Sequence, residues 1–281
     1  MKLMRIGQPG AERPAALDAD GVMRDLSDVV ADIGPAFFAG DGLRQAAAAI
    51  SRGGLAEARG RIGAPISRPG KVVCIGLNYS DHAAETGQAP PPRPVVFLKD
   101  PATVVGPFDD VRIPRGSQKT DWEVELGVVI GSRVRYLTTP QDGLAAVAGY
   151  VISHDVSERA FQLELSSQWD LGKSCETFNP LGPWLVTTEE VPDPHALGLR
   201  LRVNGVKRQD GCTANMIFDV SYLVWYLSQY MVLEPGDLIN TGTPAGVALG
   251  LAEQPYLRPG DHVELEIDQL GRAYQHIVAA S

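Results

Sequence analysis

Asp121-Trp122-Glu123-Val124-Glu125-Leu126-Gly127-Val128-Val129-Ile130-Gly131 is the stretch on which the reading of this chain turns. Its second half is apolar and β-branched, which predicts a strand. Alternation along a strand puts Glu123 and Glu125 on one face, roughly 7 Å apart along the backbone. Trp122, Val124, Leu126, Val128 and Ile130 then share the opposite face, which suits a core. Two carboxylates on a buried strand repel each other and lose hydration unless something positive lies between them. A divalent cation with oxygen ligands meets that need. The competing reading is an edge strand whose two glutamates face water.

Around this stretch, 281 residues can bury a large core in one big domain or in a small one plus a large one. Hydrophobic residues at 44% and charged residues at 21% fit a soluble globular protein. Thirty glycines and twenty-one prolines imply many turns, and so a β-rich chain. A net charge of −9 argues against a nucleic-acid or anionic-membrane surface. No apolar run reaches the roughly 20 residues of a membrane span, and no signal-peptide core is expected at the N-terminus. Cys74, Cys175 and Cys212 are odd in number and far apart, which suits reduced thiols in a cytoplasmic protein.

Residues 1–68 read as a small N-terminal α+β domain and 69–281 as the catalytic domain. Pro9-Gly10 and Asp20-Gly21 break the first 26 residues into a small hairpin. Gly42 to Arg59 is Ala-rich and helical in character, and Ile62 to Lys71 reads as a linker. The second domain opens with a buried strand, Lys71 to Leu77, that delivers Asn78-Tyr79-Ser80-Asp81-His82-Ala83-Ala84-Glu85. On a helical turn, His82 and Glu85 share a face. A carboxylate orients an imidazole and raises its basicity, which suits a general base acting on water; a plain surface pair would use the same spacing. Thr86 to Pro94, with Gly87 and four prolines, reads as a mobile flap.

Beyond the two glutamates, Pro140 to Ala148 predicts a short helix, and Tyr150 to Asp155 a strand with Asp155 at its end. A helix then places Arg159 and Gln162 on one face, and a loop from Gln168 to Ser174 presents Lys173. Taken alone, that lysine reads as a solvated charge. Gly198 to Asp210 predicts a hairpin with a type I′ turn at Asn204-Gly205, and Met216 to Tyr230 a core helix. The glycines of Leu238 to Val247 allow a loop that offers N–H groups to a carboxylate. Glu264 and Glu266 repeat the E-x-E spacing in a hairpin setting and are expected to face water.

Five of these pieces in this order resemble the fumarylacetoacetate hydrolase family, in its acylpyruvate-hydrolase branch. They are Asn-Tyr-x-Asp-His-x-x-Glu at 78–85, Asp-x-Glu-x-Glu-Leu at 121–126, His-Asp-Val-Ser-x-Arg at 154–159, Gly-Lys-Ser at 172–174 and Gly-Asp-Leu-Ile-x-Thr-Gly-Thr-Pro-x-Gly-Val at 236–247. The resemblance spans about Lys71 to Val278. It implies an α+β, β-rich fold built as a mixed β-sandwich roll, usually dimeric. It also implies Mg²⁺ or Mn²⁺ held by Glu123, Glu125 and Asp155, with His82 and Glu85 as a water-activating dyad on a closing lid. Lys173 matches the lysine that stabilises the developing enolate. Arg159 and Gln162 match positions near the substrate, and Thr243 matches the loop that meets its carboxylate.

The reaction this implies is metal-assisted hydrolysis of a C–C bond in a 2,4-dioxo acid, either an acylpyruvate or a diketo-deoxy sugar acid. Decarboxylation or tautomerisation of a 2-oxo acid and ureidoglycolate-lyase chemistry use the same enolate logic. A Ca²⁺-stabilised binding protein would use the three acids but has no need of His82, Glu85 and Lys173.

Overall fold

The computed structural model describes residues 1–85, 87, 89–165 and 167–280. Its centre is a nine-stranded sheet in the order Met23–Asp25, Arg13–Leu17, Lys2–Ile6, Leu185–Thr187, Val147–His154, Val124–Ile130, Leu238–Asn240, Val72–Gly76, Val95–Lys99. A second sheet runs Val206–Cys212, Gly198–Val203, His262–Ile267, Gly271–Ala279, Val111–Ile113. The fold is the β-rich sandwich the motifs imply. Val124–Ile130 runs antiparallel to both of its neighbours and is buried at every residue.

Parity along that strand assigns its faces. Val124, Leu126, Val128 and Ile130 pack with Leu199, Leu201, Val263 and Leu265 of the second sheet in one continuous core. Val129 points the other way, into a cluster with Phe37, Phe38 and Ala46 of the N-terminal segment. Glu125 has the parity of Val129 and lies on that second face. The strand does not extend through Trp122 and Glu123. Thr120–Asp121 is a separate short strand paired with Ser157–Glu158, and the ladder resumes at Val124. Across the break, Asp155 N–H donates to the Glu123 carbonyl at 3.0 Å. The Gln209 side chain meanwhile accepts from Val124 N–H at 3.0 Å.

The three strands before residue 26 form a meander at one edge of the large sheet, with Lys2–Ile6 pairing Leu185–Thr187. A division near residue 68 therefore falls between strands of one sheet. The expected helix from Gly42 stops at Arg52, because Gly53 and Gly54 turn the chain at φ +71° and +79°. Pro140–Ala146 is a 3₁₀ turn, and strand begins at Val147. The 204–205 hairpin turn forms with both residues at positive φ, 51° and 77°, as a type I′ turn requires. The core helix is shorter than its apolar pattern and spans Val220–Ser228, capped by Asp219 accepting from Tyr222 N–H at 2.7 Å. Of the expected flap, Thr86 and Gln88 lie outside the described residues. No described helix is long and apolar enough to cross a membrane.

Gly149 shows how closely the central strands are fitted: a Cβ there would lie 2.3 Å from the Val186 carbonyl oxygen of the neighbouring strand. Because backbone rather than a side-chain tip stands in the way, Gly149→Ala should cost about 1–3 kcal/mol, read as a lowered urea midpoint. An unchanged midpoint would show that the Leu185–Thr187 strand can move aside.

Candidate active site

The site lies at the end of the central strands, where Glu123, Glu125 and Asp155 each bring a carboxylate oxygen within 4.8 Å of the others. Glu123 is 5% exposed, Glu125 2% and Asp155 0%, so the water-facing alternative does not hold. In the comparable E-x-E pair of the second sheet, Glu264 is exposed and Glu266 half-buried, as expected. Backbone geometry gathers the three acids: Glu125 pairs across the ladder with Ser153, two residues before Asp155.

Positive groups surround the cluster. Lys173 Nζ donates to Glu123 Oε2 at 2.8 Å and to Asp155 Oδ2 at 3.0 Å. It is 2% exposed and sits on a helical turn, Asp170–Lys173, rather than in a solvated loop. Arg159 donates to Glu123 Oε1 at 2.6 Å, to Asp121 Oδ2 at 2.9 Å and to Gln162 Oε1 at 3.0 Å. Sequence reasoning passed over Lys99. Its Nζ donates to Asp155 Oδ1 at 2.5 Å and to the Val156 carbonyl at 3.0 Å, and the residue is buried. A signal was present, because Lys99 has the parity of buried Phe97, whereas Val96 and Leu98 are exposed. A lysine on the inward face of a strand requires a buried acid. Asp121 was also missed as a hub. Besides Arg159 it accepts from the backbone of Trp122, Ala248 and Leu249.

His82 and Glu85 lie on the helical turn Ser80–Glu85, with Nδ1 3.3 Å from Glu85 Oε2. Glu85 Oε1 accepts from Gly246 N–H at 2.9 Å, which ties this turn to the 242–250 loop. Asn78 anchors the start of the turn, donating to the carbonyls of Phe218 and Thr241 and accepting from Phe218 N–H. The glycine loop does offer an N–H to a carboxylate, and that carboxylate is Glu125, bonded by Gly242 at 2.8 Å. Thr243 lines the same cavity, but its Oγ1 donates to the Val124 carbonyl and accepts from Gln209, each at 2.8 Å. The cavity, about 80 Å³ in volume, is also bordered by His82, Glu123, Glu125, Arg159, Gln162 and Lys173.

The electrostatics of the acids are uneven. Burial pushes Glu123 up, but the charges of Lys173 and Arg159 outweigh it and hold the carboxyl at about 2. Burial also raises Glu125, and there Asp155 and Glu123 add to the effect, leaving it well above the carboxylate range. Burial lowers Lys173, yet Asp155 and Glu123 overcome it and keep the ammonium charged. Joined by hydrogen bonds or facing one another are three cations, Lys99, Arg159 and Lys173, and four carboxylates, Asp121, Glu123, Glu125 and Asp155. Of these carboxylates Glu125 is the one bonded by a backbone N–H rather than by a cation, and its burial beside Asp155 and Glu123 favours the neutral acid until a cation replaces the proton. Three hard oxygen ligands of this kind fit a divalent cation.

Comparison with known proteins agrees with this geometry. Residues 71–278 match the model of the fumarylacetoacetate hydrolase C-terminal domain. The chain belongs to this family. A Burkholderia multivorans protein named as a hydrolase is 50% identical over 287 residues, with the whole of both chains covered. A 2-hydroxyhepta-2,4-diene-1,7-dioate isomerase from Mycobacterium marinum superposes with a TM-score of 0.76 at 33% identity, covering 100% of this chain and 99% of its own. A maleylpyruvate hydrolase from Sphingobium sp. SYK-6, solved with manganese(II) and pyruvate, gives 0.82 at 27% identity with full coverage of both. Family membership makes the chain one of a family of enzymes whose relatives include both hydrolases and isomerases.

The raised carboxyl of Glu125 has a thermodynamic sign. Its contribution to stability is fully present below its ordinary value of 4.5 and is lost as pH rises toward its folded value. Glu123 behaves oppositely: its contribution is present above 4.5 and is lost as pH falls toward about 2. Chelator-treated wild type should therefore lose stability relative to Glu125→Gln as pH rises above 4.5, followed by thermal melts. In calorimetry the same substitution should weaken Mg²⁺ or Mn²⁺ binding by more than about tenfold, while Glu264→Gln changes neither quantity. Equal metal affinity in Glu125→Gln and wild type would remove Glu125 from the site.

Proposed function

We propose that this chain is a metal-dependent hydrolase that cleaves the C3–C4 bond of a 2,4-dioxo acid to pyruvate and a carboxylate. One observation carries the reading: His82, paired with Glu85, borders the same small cavity as Glu123 and Glu125 of the buried three-carboxylate cluster. Mg²⁺ or Mn²⁺ on Glu123, Glu125 and Asp155 would supply Lewis acidity toward the substrate's 1-carboxylate and 2-oxo oxygens. The Sphingobium relative, solved with manganese(II) and pyruvate, supports that choice of ion and of substrate head.

The protein groups do the rest. Glu85 orients the imidazole through Nδ1, so His82 draws a proton from water at Nε2. The hydroxide adds to C4, and the C3–C4 bond breaks. Its electron pair enters the enolate of pyruvate, whose C3 takes the proton back from His82. The acid formed at C4 ionises to solvent. Lys173 has three N–H donors and gives two to Glu123 and Asp155, which leaves the third for the enolate oxygen. Arg159 and Gln162 hold the 1-carboxylate end, and the Thr243 loop closes the wall beside it.

Tautomerisation and decarboxylation share the enolate but add no water, so a dyad built to activate water favours hydrolysis. The reading also includes a homodimer working in the cytoplasm. Val96 and Leu98 are exposed on the edge strand and share a hollow with Met231, a face suited to a second copy.

Hydrolysis in H₂¹⁸O should place label in the carboxylate released from the C4 side, with none entering pyruvate through cleavage. His82→Ala and Glu85→Gln should abolish that cleavage with metal affinity intact, and Lys173→Met should lower kcat on the order of 10²-fold. A wild type that leaves 2,4-dioxo acids whole while isomerising or decarboxylating 2-oxo acids would replace the hydrolase reading. Light scattering should give twice the 30.1 kDa chain mass, and a monomer at working concentration would rule out the dimer.

A further inference from the structure

We propose that this site selects 2-oxo monocarboxylates whose far end is a short, uncharged, apolar group, and that it discriminates against a second carboxylate or a polyhydroxy tail. The inference rests on the 2,4-dioxo-acid reading above and narrows it.

The wall of the cavity is the first argument. Apart from the groups already assigned to chemistry, it is made of Ile75, Leu77, Phe97, Leu163, Trp169 and Leu249, together with Gly76. Trp169 stands edge-on to Phe97 with ring centroids 5.5 Å apart. A Cβ at Gly76 would lie 2.6 Å from the Trp169 ring, so the indole presses directly against the backbone of the Val72–Gly76 strand. This surface is packed and apolar. A cavity of about 80 Å³ has room for only a handful of water-sized groups, which suits a compact tail.

The second argument is the commitment of the cations. Among the described residues lining the cavity, the permanently charged cations are Arg159 and Lys173. Arg159 is shared among Asp121, Glu123 and Gln162, and Lys173 between Glu123 and Asp155. Neither stands apart at the far wall to receive another anion. Hydroxyls fare little better: Thr243 Oγ1 is already in two hydrogen bonds, and Gln162 has spent its carbonyl on Arg159. With so few polar groups on this wall, most hydroxyls of a sugar-like tail would lose water without gaining a partner.

Charge is the third argument. A second carboxylate at the tail end would be buried against apolar side chains with no cation beside it, which is costly.

The test uses binding, so that it stands apart from turnover. Calorimetry on the full chain in saturating Mg²⁺ compares 2-oxohexanoate with 2-oxoadipate, which share the head and chain length and differ in a terminal methyl versus carboxylate. 2-Oxohexanoate should bind at least ~10-fold tighter, and a 2-oxo-3-deoxyhexonate should fall with the dicarboxylate. Leu163→Arg, at the half-open mouth, should bring the first two within about threefold of each other. Equal or tighter binding of 2-oxoadipate to wild type would overturn the proposal. Pyruvate release from acylpyruvates is scored separately. A preserved monocarboxylate preference without release would end the hydrolase reading and leave the specificity standing. Binding of neither acid would end both.

Discussion

The ion pair that the rest of this site depends on is Lys173 held between Glu123 and Asp155. Removing several carboxylates from water is expensive unless each finds a charged donor in good geometry. The fold supplies those donors from four separate segments: Lys99 from the edge strand, Arg159 and Lys173 from two short helices, and the Gly242 N–H from the loop after Leu238–Asn240. Each acid is satisfied to a different degree. Glu123 receives two cations and stays ionised, whereas Glu125 receives one N–H and faces two like charges. This imbalance is what a cluster able to hold a divalent cation requires, because a fully neutralised cluster would have nothing left to offer one.

The two faces of one strand divide the work. Leu126, Val128 and Ile130 are committed to the sandwich core, so the register of Val124–Ile130 cannot slip without exposing them. Fixing that register also fixes Glu125, and the break at Trp122-Glu123 lets Glu123 turn toward the same point. Trp122 is locked by its indole N–H donating to the Gly246 carbonyl at 3.0 Å, on the loop whose own N–H bonds Glu85. Core packing thus positions the acids, and the same loop holds the His82–Glu85 turn.

Much of this was legible before any coordinates, because it rests on local periodicity. Alternation puts Glu123 and Glu125 together, helical spacing puts His82 beside Glu85, and Asn204-Gly205 turns a hairpin. Burial was not legible. Lys173 reads as a surface charge because nothing nearby in sequence shows that Glu123, fifty residues earlier, and Asp155 close over it. Asp121 and Gln209 act across 127 and 85 residues respectively, distances at which one sequence carries no pairing signal. Lys99 is the instructive case between these. Its parity with Phe97 marks it as inward, and an inward lysine at the end of an apolar strand is itself a sign of a buried acid elsewhere.

In the proposed reaction, the chemistry and the specificity of the site share one cause. A group that stabilises an enolate must hold its charge in a dry place, where hydrogen bonds and charges act strongly. The apolar wall of Phe97, Trp169, Leu163 and Leu249 provides that dryness, and Lys173 lies 4.9 Å from the Phe97 ring centre. The side chains that strengthen Lys173 are therefore the same ones that would meet the tail of the proposed substrate. A tail carrying its own charge would need water or a cation at that wall, and either would weaken the field Lys173 exerts on the enolate. The proposed selection for an apolar tail would then follow from the way the site stabilises charge, with no separate recognition element required.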